Sequence, residues 1–443
     1  MRVKLSDHFT YKRLFQFVIP TIAMMVFTSI YGVVDGFFIS NFVGKNPFSA
    51  VNLIMPFLMI LGAVGFMIGA GGSAIVAQAL GEKKNKEANG YFSFLIYVTM
   101  MCGIVLFFFG QGMIGQVARW LKADDSLYDY CVQYGRIILI GTPFFMLQQV
   151  FQTFLTTAEK PKLAFLTTLI AGVTNMVLDA LFVAILKWQI VGAAVATVVS
   201  QFVGGIIPLI YFLSKNNSLL HLGKAKWSGK VLLRTCTNGS SEFVGNISGA
   251  IVGMLFNLQL IKYAGNDGIA AYGTMMYVNF IYVAIFIGYS IGTAPLIGYN
   301  YGAKNTSELK NIFKKSMILM LIFGVVMSLL ALGLAYPISK IYVGYDDVLF
   351  EMTKKAFYIF SFSFVFSGIS IFTSSLFTAL SNGIVSAIIS FMRSVVYQIA
   401  CVFILPLFFG INGIWISMLV AEILSMITSI LFIICQRKKY QYM

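Results

Sequence analysis

Residues 75–87, IVAQALGEKKNKE, and residues 296–308, LIGYNYGAKNTSE, follow one plan: an apolar run, a glycine, then a short lysine-bearing turn. Gly302 repeats Gly81 at a shift in numbering of 302 − 81 = 221. The same shift of 221 carries Gly44 (VGKNPFSAV) onto Gly265 (AGNDGIAAY), and Gly192 (IVGAAVAT) onto Gly413 (INGIWISM). A register held from one end to the other means that the chain is a duplication of a single unit.

The content of the unit follows from composition. Of 443 residues, 59% are hydrophobic and 11% charged, against about 25% charged in soluble domains, and the mean hydropathy is +0.86. Apolar runs fall at about 14–39, 49–79, 91–117, 128–157, 163–186 and 190–214, then 231–262, 269–300, 311–342, 349–380, 384–409 and 412–435. Each is long enough to cross a bilayer. The expected fold is therefore an all-α polytopic membrane protein of twelve transmembrane helices in two six-helix lobes. Six spans per unit is an even number, so both lobes share one orientation and are related by a pseudo-twofold axis along the membrane normal. The lobes are expected at 1–214 (helices 1–6) and 231–443 (helices 7–12), joined by a polar, basic linker at 215–230. Met1–Arg13 is basic and polar and the first apolar run is too long for a signal-peptide core, so no cleavable signal is expected.

The net charge of +15 does not indicate a nucleic-acid partner, because the cations sit in short loops between apolar runs. About 21 Lys and Arg, Arg2 among them, fall on the side of the termini and about 8 on the other, which places both termini in the cytoplasm. The five cysteines, Cys102, Cys131, Cys236, Cys401 and Cys435, are scattered without a paired spacing. With two histidines and no acid–His motif, a metal-dependent membrane enzyme is not expected. No phosphate-binding loop supports direct ATP drive, so neither enzymatic activity nor an ATPase partner is expected.

Acids inside apolar runs point to chemistry, since one charge at membrane depth costs roughly 2.5–3.5 kcal/mol on insertion scales. Asp35 lies in SIYGVVDGFFIS, flanked by Gly32 and Gly36, which would allow a neighbouring helix close. Asn175 and Asp179, in VTNMVLDAL, are spaced i, i+4 and share a helix face. With Thr197 these residues offer the carboxylate, amide and hydroxyl oxygens that Na⁺ needs, while two close acids can instead share a proton. Under the shift of 221, Asp35 falls on Phe256, Asp179 on Ala400, and Glu242 on Thr21. The acids thus lie outside the repeated scaffold. Pro20 lies fifteen residues before Asp35 and frees a backbone carbonyl, so the first span can bend there.

In the second half, Glu242 opens the seventh span with Asn246 at i+4, and Gly245, Gly249 and Gly253 form a small-residue ladder suited to close helix packing. Glu242 is a cation anchor or else a cap near the cytoplasmic end of its helix, and with Asn246 it is a candidate substrate contact. Arg393 and Glu422 are expected to pair structurally. Among the many aromatic residues, whose faces attract organic cations, Tyr31 and Tyr134 are candidate substrate contacts, Tyr31 being one turn from Asp35.

Together YGVVDGFFI in the first span, SAIVAQALGEKK after the second, the N-x₃-D of Asn175 and Asp179 and the six-plus-six duplication resemble the prokaryotic type of the MATE family, the multidrug and toxic compound extrusion transporters. The resemblance implies secondary active multidrug efflux. Amphipathic, mostly cationic compounds would leave in exchange for H⁺ or Na⁺ by alternating access, without a cofactor. It implies a multi-pass protein, monomeric, in a prokaryotic cytoplasmic membrane. Asp35, Asn175, Asp179 and Thr197 are similar to the cation or proton site of the N-lobe, Pro20 to the proline at which the first helix bends, and Glu242 to the seventh-helix acid of many members. Span ten, SFVFSGISIFTSSLFTAL, carries no acid, which departs from relatives that build a C-lobe Na⁺ site there. The alternative in the same superfamily is a lipid-linked oligosaccharide flippase, which would need more cationic residues within the spans than Arg136 and Arg393.

Loop charge and duplication together generate a topological test. Cysteines replacing Lys84 and Lys304 are expected to react with an impermeant reagent from the cytoplasmic side, and those replacing Lys45 and Lys262 from outside. Labelling of the Lys45 and Lys84 variants from one side would overturn the twelve-span reading.

Overall fold

A computed structural model describes residues 3–443, without the side chains of Lys45 and Ala250; Arg2, counted above with the loop cations, falls outside it. The described chain is helical apart from short turns and two longer non-helical segments, residues 3–10 and 214–228. In order run α1 (Tyr11–Phe38), α2 (Lys45–Gly81), α3 (Asn85–Trp120), α4 (Asp125–Thr157), α5 (Pro161–Asp179) and α6 (Gln189–Leu213). Then follow α7 (Gly229–Gly302), α8 (Thr306–Val343), α9 (Asp347–Ser361), α10 (Ser363–Ala379), α11 (Gly383–Phe391), α12 (Tyr397–Phe409) and α13 (Ile411–Tyr440).

Three facts convert these helices into twelve spans among the described residues. First, α7 has 74 residues and would be about 110 Å long if straight, against a hydrocarbon core of about 30 Å. Gly265, at φ 60 and ψ −146, breaks it into two spans. That backbone conformation is open essentially to glycine alone, which is why the duplicated glycine stands there. Second, α9 and α10 are one span bent by 47°. Third, α11 and α12 run on through a π-helical stretch, Met392–Val396.

The duplication is written in the backbone. Left-handed or otherwise positive φ values recur at Gly44 and Gly265, Lys83 and Lys304, and Gln189 and Gly410, each pair related by the same shift of 221. Glu159 and Ser381 follow one position out of that register. These are the turns at which one helix stops and the next reverses, so loop geometry is repeated even where sequence is not.

The lobes meet at the end of the bundle that carries both chain ends. Glycines make the seal. A Cβ on Gly239 would run into the backbone of Met67, one on Gly71 into that of Thr235, and one on Gly302 into that of Gln78. On Gly288 it would lie 2.6 Å from the Ile22 Cα and 2.7 Å from the Thr21 carbonyl. The side-chain hydrogen bonds Gln78 Nε2 to the Ala379 carbonyl (3.0 Å) and Asn238 Nδ2 to the Gly71 carbonyl (3.4 Å) also join the lobes in this half, and Ser29 Oγ to the Phe280 carbonyl (3.3 Å) joins them near mid-depth.

Towards the other end the lobes part. No atom beyond the helix's own lies within 4 Å of where a Cβ would stand on Gly32, Gly36, Gly249, Gly253 or Gly273. Gly32 and Gly36 therefore do not receive a neighbouring helix, and the ladder Gly245–Gly249–Gly253 does not pack as expected; Gly245 meets only Ser390 Oγ, at 3.6 Å. The physical reason is divergence. Having crossed at Gly71 and Gly239, α2 and the first half of α7 separate, and the small residues beyond the crossing face open space.

One helix belongs to both lobes. The first half of α1 buries Leu14, Phe17 and Val18 in the same core as Phe286, Tyr289 and Leu296 of α7. Its second half packs on α5 instead: a Cβ on Gly172 would lie 2.5 Å from Phe27 Cε1 and 3.0 Å from Tyr31 Cδ1. Pro20 is buried where the first half gives way to the second, inside a helix continuous from Tyr11 to Phe38.

This packing separates two alanine substitutions. Gly239→Ala is expected to lower thermal stability in detergent by about 1–3 kcal/mol, the cost of forcing a packed contact apart. Gly249→Ala is expected to be neutral or stabilising by up to about 1 kcal/mol, since it adds helix propensity in open space. Equal destabilisation by the two would contradict the open half of the molecule.

Candidate ion and ligand site

The buried face of α5 reads Ala164, Thr167, Thr168, Ala171, Gly172, Asn175 and Asp179, while Val173 and Val177 point away. Helical spacing thus aims Asn175 and Asp179 into the N-lobe, where they are 2% and 0% exposed. On α1, Asp35 lies one turn beyond Tyr31, which Gly172 holds against α5. Asp35 is half-buried and stands within direct side-chain reach of Asp179, Asn175 and Thr197. The four residues separated in sequence are therefore one cluster.

Its polar atoms are close but unsatisfied. Asp35 Oδ1, both carboxylate oxygens of Asp179, both polar atoms of the Asn175 amide and Thr197 Oγ1 are buried without a hydrogen-bond partner. Two charges about 4 Å apart repel by about 4 kcal/mol at an effective dielectric of 20, and each orphaned polar group costs about 1–3 kcal/mol. A proton shared by the acids, or a cation held among these oxygens, relieves both costs. The donor set of carboxylates, amide and hydroxyl suits a hard monovalent cation as it suits H⁺.

Backbone geometry marks the same place. The π-helical stretch Ile39–Val43 ends α1, and the Ile39 N–H that enters it reaches the carbonyls of Asp35 and Gly36. A second π stretch, Ala180–Ile185, begins directly after Asp179. The third contains Arg393. Wide turns of this kind re-aim the residues around them and frequent functional sites, and here each adjoins an in-span charge. The second is locked by Trp188, whose ring stacks on Phe182 at 4.7 Å and whose N–H donates to the Phe182 carbonyl at 2.8 Å.

Tyr134 lies elsewhere than expected. It is 0% exposed within the N-lobe core, and its unpartnered hydroxyl is within electrostatic reach of Asp35 and Asp179. It lies beside the acid cluster and not on a ligand-facing wall, because its face of α4 is buried in the core that α2, α3, α4 and α6 share. Gln201, which sequence reading passed over, adds a further buried, unpartnered oxygen one turn from Thr197. Its signal was available: an amide four residues from Thr197 in an otherwise apolar span.

Glu242 sits one turn beyond Gly239, where α2 and α7 begin to diverge, and is half-buried. Asn246 is exposed, and its amide donates one hydrogen bond to the Glu242 carbonyl at 2.8 Å, which leaves its oxygen and its second N–H to meet a ligand. Arg393 and Glu422 form the expected pair, Nε–Oε2 3.0 Å and a guanidinium nitrogen to Oε1 2.9 Å. Two parallel bonds to a nearly buried carboxylate satisfy both charges.

Comparison with known proteins follows the same lines. The MatE family profile matches twice, at residues 20–181 and 243–404. The first match takes in Pro20, Asp35, Asn175 and Asp179, and the spacing of the two matches is close to the shift of 221 read from the sequence. Multidrug export protein MepA of Staphylococcus haemolyticus (strain JCSC1435) is 26% identical over 93% of this chain and 90% of its own length. A crystal structure described as MATE in the straight conformation aligns with TM-score 0.93 at 19% identity, covering 98% of each chain. The outward-facing conformation of a multidrug resistance MATE family transporter of the MOP superfamily aligns with TM-score 0.92 at 19% identity, covering 97% and 96%.

The contrast between the two charge pairs can be measured by stability. Asp179→Asn is expected to leave the thermal midpoint unchanged or raise it, because it removes a repulsion. Arg393→Met, which strands Glu422, is expected to cost about 3–5 kcal/mol. A loss of that size in Asp179→Asn would show that the acids are a satisfied structural pair.

Proposed function

The chain belongs to the MatE family, and from that premise we propose that it is a secondary antiporter exporting amphipathic, mostly cationic compounds in exchange for H⁺ or Na⁺. The observation that carries the proposal is the acid cluster, orphaned, buried and confined to one lobe of a duplicated protein. Both termini are cytoplasmic in this reading, so the cleft opens outward. It fits a multi-pass cell-membrane protein working as a monomer without a cofactor.

The steps follow from the residues. H⁺ or Na⁺ enters from outside to Asp35 and Asp179, with Asn175 and Thr197 supplying neutral oxygens. Loading removes the repulsion that holds α1 and α5 in their unloaded arrangement. The second half of α1, packed on α5, responds by bending at Pro20, while the first half stays with the C-lobe. The wall of the cleft near Tyr31 then changes shape and the drug, held from the floor by Glu242, leaves. One charge falling through about 100 mV yields roughly 2.3 kcal/mol. At about 1.4 kcal/mol per decade, one coupled charge sustains a drug gradient of some tens-fold.

The flippase alternative loses both its cations. Arg136 is exposed at the bundle surface and Arg393 is committed to Glu422. This disfavours recognition of a pyrophosphate by those two residues.

Proteoliposomes test the proposal directly. A fluorescent cationic compound is expected to move when a pH or a Na⁺ gradient is imposed, and to stop in Asp35→Asn and Asp179→Asn while both variants insert and fold. Transport at the wild-type rate in either variant, or transport indifferent to both gradients, would refute the coupling role.

A further inference from the structure

The segment before α1 and the segment before α7 are a matched pair of straps, each fastened to the third helix of a lobe through a glutamate at the same repeat position. Glu308 on α8 and Glu87 on α3 are related by the shift of 221, and each is the third residue of its helix. In the first strap the Phe9 N–H donates to Glu308 Oε1 at 2.9 Å and His8 Nδ1 meets Glu308 Oε2 at 2.6 Å. Asn311 Nδ2 and Lys315 Nζ both donate to the Phe9 carbonyl, at 3.0 and 2.5 Å. In the second, Lys226 Nζ donates to Glu87 at 2.8 Å, the Lys226 N–H to the Gly90 carbonyl at 3.1 Å, and the Gly223 N–H to Ser93 Oγ at 2.9 Å.

The two fastenings differ in strength. Glu87 and Lys226 are 40% and 51% exposed, so their pair is worth little. Glu308 is 6% exposed and Leu5 and Phe9 are 0% exposed, with Phe9 packed edge-on against Phe17 at 6.3 Å. A glutamate at this helix position ordinarily reaches back to the N-cap backbone in a capping box. Glu308 does not: Asn305 Oδ1 accepts from the Glu308 N–H at 3.1 Å, but the carboxylate is turned outward to the strap and to Asn311. The first strap also touches the N-lobe, the Leu5 N–H donating to Glu159 Oε1 at 2.8 Å in the turn between α4 and α5.

Position gives this clamp its consequence. The strap ends at Thr10, the N-cap of α1, and α1 is the helix shared by both lobes. We infer that Glu308 is a positioning residue for transport: by holding the strap on α8 it pins the foot of α1 to the C-lobe and biases the protein towards the state sealed at the terminus-bearing end. Opening that end carries α2 and the α4–α5 turn away from α7. The foot of α1 must then let go of Glu308, or the Leu5–Glu159 contact must break and α1 must bend. Breaking the clamp therefore favours the other state.

The inference rests on alternating access, so its test reads both ends of the molecule. Spin labels are placed on cysteines replacing Lys162 and Arg437 at the terminus-bearing end, and in a second protein on cysteines replacing Asp125 and Asp347 at the other, the five native cysteines being removed. In Glu308→Ala the ratio of long to short Lys162–Arg437 distances is expected to rise by roughly tenfold, the scale of one lost charge-assisted hydrogen bond, while the Asp125–Asp347 distance shortens reciprocally. Glu308→Gln, which keeps an acceptor for the Phe9 N–H and suits the fold if the alanine variant misfolds, is expected to shift less in the same direction. Broadening at both ends without a reciprocal shift would mean a merely structural residue and overturn the inference. So would distributions that match a wild type seen to switch with pH, Na⁺ or drug, and in that case the antiport reading would stand. A wild type that never leaves the outward distances would overturn both.

Discussion

Two carboxylates facing each other, the half-buried Asp35 and the buried Asp179, set the terms for the rest of this molecule. Asp35 and Asp179 cannot both be charged there without a large repulsion, and the groups around them leave them without hydrogen bonds. A fold maintained only for stability would have paired them, as it pairs Glu422 with Arg393. In the antiport reading proposed above, a small positive charge completes the site. Because Asp35 is on α1 and Asp179 on α5, whatever completes the site also sets how those helices sit together.

The duplication makes that local effect global. Two similar lobes are sealed by glycine contacts between α2 and α7, which depend on backbone meeting backbone and tolerate little intermediate displacement. Such an interface favours two discrete arrangements over a continuum. α1 is packed below Pro20 on the C-lobe and above it on α5. A change at Asp35 is thereby delivered to the helix that joins the lobes. The acid cluster breaks the symmetry of the repeat, and in the proposed antiport one lobe would respond to the ion while the other presents Glu242 to the cleft.

Much of this was legible in the sequence, for reasons that can be named. The repeated glycines were readable because turns between antiparallel spans need unusual backbone angles, and Gly44 and Gly265 supply them. The acids were readable because charge at membrane depth is costly. The destination of small residues was not: Gly249 and Gly253 look the same in sequence whether a helix covers them or open space does, since only the crossing angle of α2 and α7 decides. Tyr134 was misplaced because its helix is polar enough on several faces that periodicity does not select the inward one. Gln201 was missed among apolar neighbours, and the role of Glu308 was hidden because its partners, His8 and Phe9, stand at the far end of the chain from it.

Coupling requires that ion and drug prefer different states, so each must weaken the other's binding by the same factor. The most direct measurement is the equilibrium affinity for one cationic drug, from mildly acidic to mildly alkaline pH, with and without Na⁺, in the wild type and in Asp35→Asn. Loading with H⁺ increases as pH falls, so a proton-coupled wild type should bind the drug more weakly at acidic pH, and a Na⁺-coupled one more weakly when Na⁺ is added. Asp35→Asn should lose that dependence. An affinity in the wild type that responds to neither ion would contradict the direct coupling of the acid cluster to the cleft.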